Sequence, residues 1–223
     1  MHYLSTRNNQ LKESFLNILF RGLSKDGGLF LPSEWPTISL EKLRGKSYQE
    51  VAHSIIYPYI QDDISDSDLQ LIINTAYENF DHKKIAPLVN IDQNKYILEL
   101  FYGPTFAFKD YALQFLGNLF SYLLNQRTKK ITVLGATSGD TGSAAINAFK
   151  GKNDIEVFIL HPHNNVSEVQ RRQMTTVEEN NIHNFAIDGT FDDCQRIVKE
   201  LFIDEEIQSK TSLTAINSIN WIR

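Results

Sequence analysis

The chain has 223 residues, 42% of them hydrophobic and 22% charged, which is the composition of a folded globular protein rather than a disordered one. The formal net charge of -5 argues against a nucleic-acid partner, because contacts to phosphates need a concentrated basic face and only Arg171-Arg172 offers one. No apolar run is long enough for a membrane span and no signal-peptide core is present, so we expect a cytoplasmic protein without a membrane partner. The single cysteine, Cys194, excludes an internal disulfide and a Cys-based zinc site, and it is more typical of a packed thiol than of a nucleophile.

Residues 1–90 are predicted to form a mostly helical domain that packs rather than reacts. Leu11, Phe15, Ile18 and Leu19 recur at helical spacing, and Gly22 is placed to end that helix. A glycine turn at 27–28 then leads into a short apolar strand that Pro32 closes.

Two further helices are predicted in this domain. Ser47 and Glu50 form a capping-box pair that opens the first, although Pro58 should end or bend it. An acidic link at 62–66 precedes the second, which is marked by apolar residues at helical spacing, namely Leu69, Ile72, Ile73, Ala76 and Phe80.

From about residue 91 to residue 223, strands and helices alternate, which indicates an α/β domain with a mainly parallel, open sheet. The predicted strands are 96–101, 130–135, 155–160, 182–187 and 212–217. The predicted helices are 110–126, 141–150, 167–180 and 191–203, the third opened by Ser167 and Gln170. Sheets of this type bind ligands beyond the carboxyl ends of their strands.

Lys109 lies where the first of these strands leads, through Gly103-Pro104, into the first helix. A helix N-terminus disfavours a positive charge, and apolar surroundings disfavour the protonated amine. A lysine at such a place is a candidate nucleophile for Schiff-base chemistry, and the alternative is an ordinary surface lysine on an amphipathic helix.

The stretch from Gly135 to Gly142 joins a predicted strand to a helix of small residues. Its glycines permit close approach to a ligand, its first helical N–H groups form an anion site, and Thr137, Ser138 and Thr141 add hydroxyls. The spacing matches neither a nucleotide P-loop nor a dinucleotide fingerprint. A tight structural turn is the alternative, and Asp140 would repel an anion unless it faced another group.

The residues Asn217, Ser218 and Arg223 follow the last predicted strand and so belong to the same edge of the sheet. Asparagine, serine and arginine together suit a phosphate, because arginine binds two oxygens at once. A polar loop with a solvated arginine is the alternative interpretation.

Five motifs together resemble threonine synthase. They are Gly103-Pro104-Thr105-Phe106-Ala107-Phe108-Lys109-Asp110, Ser138-Gly139-Asp140-Thr141-Gly142, Gly189-Thr190-Phe191-Asp192-Asp193-Cys194, Asn217-Ser218-Ile219-Asn220-Trp221, and an N-terminus with Tyr3-Leu4-Ser5-Thr6-Arg7 and the segment 22–32. The resemblance spans the whole chain and implies the fold of tryptophan synthase β-like enzymes of pyridoxal 5'-phosphate (PLP). Members of this family are roughly twice as long.

The resemblance implies that O-phospho-L-homoserine is the small-molecule substrate and that threonine and phosphate are the products. It makes Lys109 the Schiff-base lysine, with Phe108 and Asp140 beside the cofactor, although related enzymes more often carry asparagine where Asp140 stands. Thr137, Ser138 and Thr141 would surround the substrate carboxylate. The substrate phosphate would be held by Asn217, Ser218 and Arg223.

The family's later glycine-rich loop for the cofactor phosphate has no match here, so we expect a chain of this length to hold PLP weakly and to be inactive alone. Two alternatives stay open. One is another PLP-dependent lyase of the same fold, of the threonine or serine dehydratase type, which has no phosphate leaving group to hold. The other is a non-catalytic α/β binding module in which Lys109 is only a charge at a helix entrance.

Overall fold

A computed structural model describes residues 1–22, 24–126 and 130–216 of the chain. These residues form two compact units, which divide between Gly103 and Pro104. Across the described ranges, no helix combines the length and the apolar character that crossing a membrane requires.

The first unit contains a small antiparallel sheet, a set of helices and a separate hairpin. The elements of the sheet and its helix are β1 (Tyr3–Ser5), β2 (Lys12–Glu13), α1 (Phe15–Arg21) and β3 (Phe30–Pro32), with strand order β2-β1-β3. Three helices follow, α2 (Leu40–Leu43), α3 (Tyr48–Ile60) and α4 (Asp66–Tyr77). The side chains of Tyr3, Phe15 and Leu19 are fully buried, and the Tyr3 and Phe15 rings lie 6.2 Å apart, so β1 and α1 share one core.

Local signals in this unit predict its helix ends well. Gly22 has a φ of 73° and donates its N–H to the Ile18 carbonyl, as a helix-ending glycine does. Ser47 and Glu50 form the expected reciprocal capping box. Pro58 lies inside α3, and the helix ends two residues later at Ile60. Leu11, in contrast, lies outside α1 and is exposed, and the strand β1 was not predicted.

The prediction that residues 96–101 enter the parallel sheet is wrong. These residues contribute to β5 (Lys95–Leu98), which pairs antiparallel with β4 (Leu88–Asp92) in a two-stranded sheet of the first unit. The reason is a two-residue turn at Gln93 and Asn94, where Asn94 takes a φ of 59° that asparagine tolerates better than most residues. Both strands are exposed along their whole length, so an apolar run here does not mark a buried strand.

The second unit is an α/β layer structure, as predicted. Its elements are α5 (Lys109–Asn125), β6 (Ile131–Ala136), α6 (Asp140–Phe149), β7 (Ile155–Pro162), α7 (Glu168–Thr175), β8 (Ile182–Ile187), α8 (Phe191–Ile203), α9 (Glu205–Lys210) and β9 (Leu213–Ala215). The four strands are parallel, in the order β8-β7-β6-β9. Helix α7 is shorter than predicted, because the hydroxyls of Thr175 and Thr176 bond back to the carbonyls of Arg171 and Arg172 in its last turn.

Alternating residues of the strands supply two apolar faces. One face carries Leu134 and Leu160, which are buried together with Cys194 of α8. Burial raises the pKa of the Cys194 thiol, which favours the neutral, packed form over a nucleophilic thiolate. Helices α5, α6 and α7 contact one another in succession elsewhere in this unit.

The strand order creates a topological switch point between β6 and β9. Chain connections from β6 run through α6 to β7 and then to β8, whereas β9 lies on the other side of β6. In open parallel sheets, ligands bind beyond the carboxyl ends of the two strands at such a point. The loop that leaves β6 here is the stretch from Gly135 to Gly142.

Candidate active site

Lys109 is the first residue of α5, and its amine faces a carboxylate. Its Nζ lies 3.1 Å from Oδ2 of Asp140, and the two side chains are 20% and 36% exposed. The amine also lies over the Phe108 ring, whose centroid is 4.4 Å from Nζ. The amine is thus held by an ion pair and a cation–π contact while it stays open to solvent.

Asp140 is the first residue of α6, so the pair joins the N-termini of two helices. The sequence left open which group Asp140 could face without repelling an anion, and the Lys109 amine is that group. At a helix N-terminus the carboxylate is stabilised by the helix dipole, whereas the ammonium is not. The carboxylate therefore offsets the unfavourable position of the lysine.

The two helices run side by side in the same direction. Lys109 and Asp140 are 31 residues apart in sequence, and Gln114 donates from Nε2 to Oδ1 of Asn147, 33 residues away, at 3.0 Å. Further along, Gly117 lies so close to Ala148 that a Cβ on the glycine would be 2.5 Å from the Ala148 carbonyl oxygen. This close packing fixes the distance between the two helices and so between their first residues.

Thr137 shapes the loop between β6 and α6. Its Oγ1 accepts hydrogen bonds from the N–H groups of Gly139 at 3.0 Å and Gly142 at 2.9 Å, and the residue is buried. Gly139 has a φ of 150°, and a Cβ there would be 2.0 Å from Oε1 of Gln170. Glycine is therefore favoured at this position by its conformation, and a larger residue would also have to displace the end of the Gln170 side chain.

The other loop hydroxyls differ in their surroundings. Ser138 is exposed at the loop, whereas Thr141 is partly buried with its Oγ1 3.5 Å from Oδ1 of Asp140. The structure thus brings Thr137, Ser138, Thr141 and Asp140 into one loop beside the Lys109 amine. Neither Ser138 nor Thr141 is fully buried, whereas Thr137 is buried and its hydroxyl oxygen already accepts two hydrogen bonds.

The predicted phosphate-binding residues Asn217, Ser218 and Arg223 lie outside the described residues. The described chain ends at Ile216, whose N–H donates to the Leu134 carbonyl in the neighbouring strand β6. Ile216 also lies against Gly135, with its Cβ 3.6 Å from the position of a Cβ on the glycine. The chain thus arrives at the start of the Gly135–Gly142 loop directly before the predicted residues follow in sequence.

Sequence reasoning missed Thr105, Asp110 and Gln173, which hold the segment before Lys109. The carboxylate oxygens of Asp110 accept hydrogen bonds from the N–H and the hydroxyl of Thr105. The side-chain amide of Gln173 donates to the Thr105 carbonyl. A signal for Asp110 was present, because it lies three residues before the buried Leu113 and so on the apolar stripe of α5. A carboxylate at such a position needs hydrogen-bond partners.

Comparison with known proteins places this geometry in one family. A family model described as "Threonine synthase N terminus" matches residues 2–77. Threonine synthase of Pseudomonas aeruginosa is 47% identical over 226 residues, which cover all of this chain and 48% of that protein. Threonine synthase of Saccharomyces cerevisiae is 48% identical over 240 residues, which cover 99% of this chain and 46% of that protein.

Solved structures agree with the sequence relatives. A PLP-bound threonine synthase from Brucella melitensis superposes with a TM-score of 0.94 at 47% identity, over the whole of this chain and 48% of its own. Over its whole length, this chain is similar to about half of a threonine synthase. A yeast threonine synthase structure gives a TM-score of 0.91 at 44% identity, and the chain covers 47% of it. The chain thus spans about half the length of the threonine synthases that it matches.

The residues present suit the cofactor that the threonine synthase from Brucella melitensis binds. PLP has an aldehyde, which condenses with a primary amine. It also has a ring hydroxyl, which donates a hydrogen bond to a carboxylate. Lys109 has such an amine, and Asp140 has such a carboxylate 3.1 Å away. Ser138 and the loop N–H groups at the start of α6 add polar groups beside them, so the donor set fits the cofactor at this edge of the sheet.

Proposed function

We propose that this chain contributes the lysine-bearing half of a threonine synthase, which converts O-phospho-L-homoserine and water to L-threonine and phosphate. One observation carries the proposal: the Lys109 amine lies 3.1 Å from Asp140 at the carboxyl edge of a parallel sheet, in a chain 47% identical to a threonine synthase throughout. PLP supplies an electron sink for the negative charge that develops when a proton leaves the substrate. We place the reaction in the cytoplasm.

In this proposal Lys109 has two roles. Its amine would hold the cofactor covalently, together with contacts from Phe108 and Asp140. As a free amine next to Asp140, it would move protons at Cα and Cβ of the substrate. Asp140 keeps the freed amine close to the site, because a 3.1 Å ion pair opposes its departure into solvent.

The loop from Gly135 to Gly142 would orient the substrate carboxylate. Ser138 and Thr141 would donate hydrogen bonds to it, since neither residue is fully buried. Thr137 would act mainly by holding the loop, because its oxygen accepts from Gly139 and Gly142. The N-terminus of α6 adds partial positive charge for the anion.

Departure of phosphate from Cγ needs positive charge and N–H donors at the leaving group. We assign this role to Asn217, Ser218 and Arg223. Water then adds at Cβ and threonine is released.

The protein at its full natural length tests the proposal. With PLP and O-phospho-L-homoserine it should release phosphate and threonine in equal amounts, and borohydride reduction should place the cofactor label on the peptide that contains Lys109. A Lys130→Ala variant is the matched control, because Lys130 is an exposed lysine of the same unit. Production of 2-oxobutyrate from threonine without phosphate release would identify a dehydratase instead. No label at Lys109 would point to a non-catalytic module.

A further inference from the structure

The carboxylate of Asp110 joins the start of α5 to the segment that leads into it. The N–H of Thr105 donates to Oδ2 of Asp110 at 2.8 Å, and the Thr105 hydroxyl donates to Oδ1 at 2.7 Å. Asp110 is 0% exposed and Thr105 is 7% exposed, so water does not compete for these bonds. The two residues close a six-residue loop that contains Lys109.

This carboxylate is costly for the fold. Burial raises the pKa of Asp110. Hydrogen bonds from Thr105 and from the Ala107 N–H lower this pKa and so partly oppose the effect of burial. An apolar residue at this position on the buried stripe of α5 would avoid the desolvation of a carboxylate. The role of the aspartate is therefore not to stabilise the fold by burial of its side chain.

The segment between Thr105 and Lys109 needs hydrogen bonds of this kind to hold its conformation. Phe106 has a φ of 60°, a left-handed conformation that is unfavourable for a non-glycine residue. Its side chain is 67% exposed, so packing does little to hold that conformation. A second tie comes from α7, where Gln173 donates from Nε2 to the Thr105 carbonyl at 3.1 Å.

We propose that Asp110 is a positioning residue, which acts through Thr105 to fix the first turn of α5 and so to hold the Lys109 amine against Asp140. Asp110 does not touch the reacting atoms. Its bonds to Thr105 set the backbone direction at which Lys109 leaves the loop, and Lys109 is its immediate neighbour in sequence. The inference rests on the proposed function, since it assigns a purpose to the position of the lysine.

Four variants of the full-length protein separate geometry from charge. Asp110→Asn keeps both bonds, because the amide oxygen accepts from the Thr105 N–H and the amide nitrogen donates to the Thr105 hydroxyl oxygen. Asp110→Leu removes both bonds without leaving a large cavity. Thr105→Val removes the hydroxyl bond and keeps the N–H bond, and Thr105→Ser keeps both.

We expect Asp110→Leu to lower kcat by about 10- to 100-fold, in keeping with the effect of misplacing a reacting group by about 1 Å. Thr105→Val should give a smaller loss in the same direction. Asp110→Asn and Thr105→Ser should stay within about 3-fold of wild type, and KM for O-phospho-L-homoserine should change by less than about 3-fold in all four, because substrate contacts are untouched.

Labelling of Lys109 provides a readout independent of turnover. Apo protein is treated with PLP and borohydride, and the rate at which the Lys109 peptide is labelled is compared with that of the Lys130 peptide. Asp110→Leu and Thr105→Val should slow the rate of labelling at Lys109 but not at Lys130, and Asp110→Asn should leave both rates unchanged.

The positioning role would be overturned if Asp110→Asn lost as much kcat and labelling as Asp110→Leu. It would also be overturned if both Asp110→Leu and Thr105→Val kept wild-type values. If Asp110→Leu does not fold, Thr105→Val and Thr105→Ser decide between these outcomes. Failure of the proposed function is distinct, because wild type itself would then form no threonine from O-phospho-L-homoserine, whether or not Lys109 takes the label.

Discussion

The close packing of α5 against α6 predicts that one added methyl group, in Gly117→Ala, will impair the site two helical turns away. A Cβ at residue 117 would lie 2.5 Å from the Ala148 carbonyl oxygen, 3.1 Å from its carbonyl carbon and 3.2 Å from its Cβ. The first of these atoms belongs to backbone, which moves only with its helix. Reaching an ordinary contact of 3.4 Å requires a separation of about 0.9 Å.

The expected change in stability is small because two effects oppose each other. Overpacking costs about 1–3 kcal/mol, and replacing glycine by alanine in a helix gains about 1 kcal/mol. The free energy of unfolding should therefore fall by about 0–2 kcal/mol. The effect on catalysis should be larger, because a displacement near 1 Å between the first residues of α5 and α6 would lower kcat by as much as about 100-fold.

The assay compares urea unfolding and steady-state kinetics of the full-length protein. Asn125→Ala is the control, since it raises helix propensity at an exposed position of the same helix without touching α6. A Gly117→Ala protein that is more stable than wild type by about 1 kcal/mol and has unchanged kcat would refute the reasoning, because only helix propensity would then have acted.

Other substitutions test other parts of the chain. Lys109→Ala should lower kcat by at least about 1,000-fold with the unfolding midpoint nearly unchanged, because the residue carries chemistry and not core packing; activity within 10-fold of wild type would contradict its role. Arg223→Ala should lower kcat/KM for O-phospho-L-homoserine more than kcat/KM for an analogue without the phosphate. Equal losses in kcat/KM for both compounds would count against a phosphate contact. Tyr3→Phe should destabilise the protein by about 1 kcal/mol, because the hydroxyl of the buried Tyr3 donates to the Tyr59 carbonyl at 2.8 Å. Tyr96→Phe, at an exposed position, is the control, and equal unfolding free energies for the two variants would argue against the bond. Glu168→Gln should lower stability at pH 6 but not below pH 2.

The pH dependence of the last prediction follows from the arginines around Glu168. Arg171 and Arg172 lie 2.8 Å and 2.7 Å from its carboxylate and lower its pKa to about 2. A carboxylate whose folded pKa is depressed contributes stability above its unfolded pKa of 4.5, and this contribution is lost as pH falls toward 2. The difference between wild type and Glu168→Gln in urea unfolding should therefore shrink between pH 5 and pH 2, and a difference that persists at the lowest pH would contradict the ion pairs as its source.

Short-range signals determined much of this protein directly from its sequence. The helix that begins at Lys109, the helix at 191–203, the strand at 182–187 and the capping box at Ser47 all lie where periodicity and capping residues predict them. These features depend on neighbours within a few positions, and the same is true of the strand–helix rhythm that indicates a parallel sheet. The family motifs likewise predict that Lys109 and the Gly135–Gly142 loop belong to the site.

Contacts between distant residues were decided by the tertiary structure alone. The apolar run at 96–101 has the same composition whether it enters a buried sheet or pairs in an exposed hairpin, and only its pairing with residues 88–92 settles which. The partner of Asp140, 31 residues away, and the carbonyl that makes Gly117 necessary come from the packing of two parallel helices. The sequence thus predicts which residues carry chemistry, whereas the distances between them arise from helix packing, which no local pattern encodes.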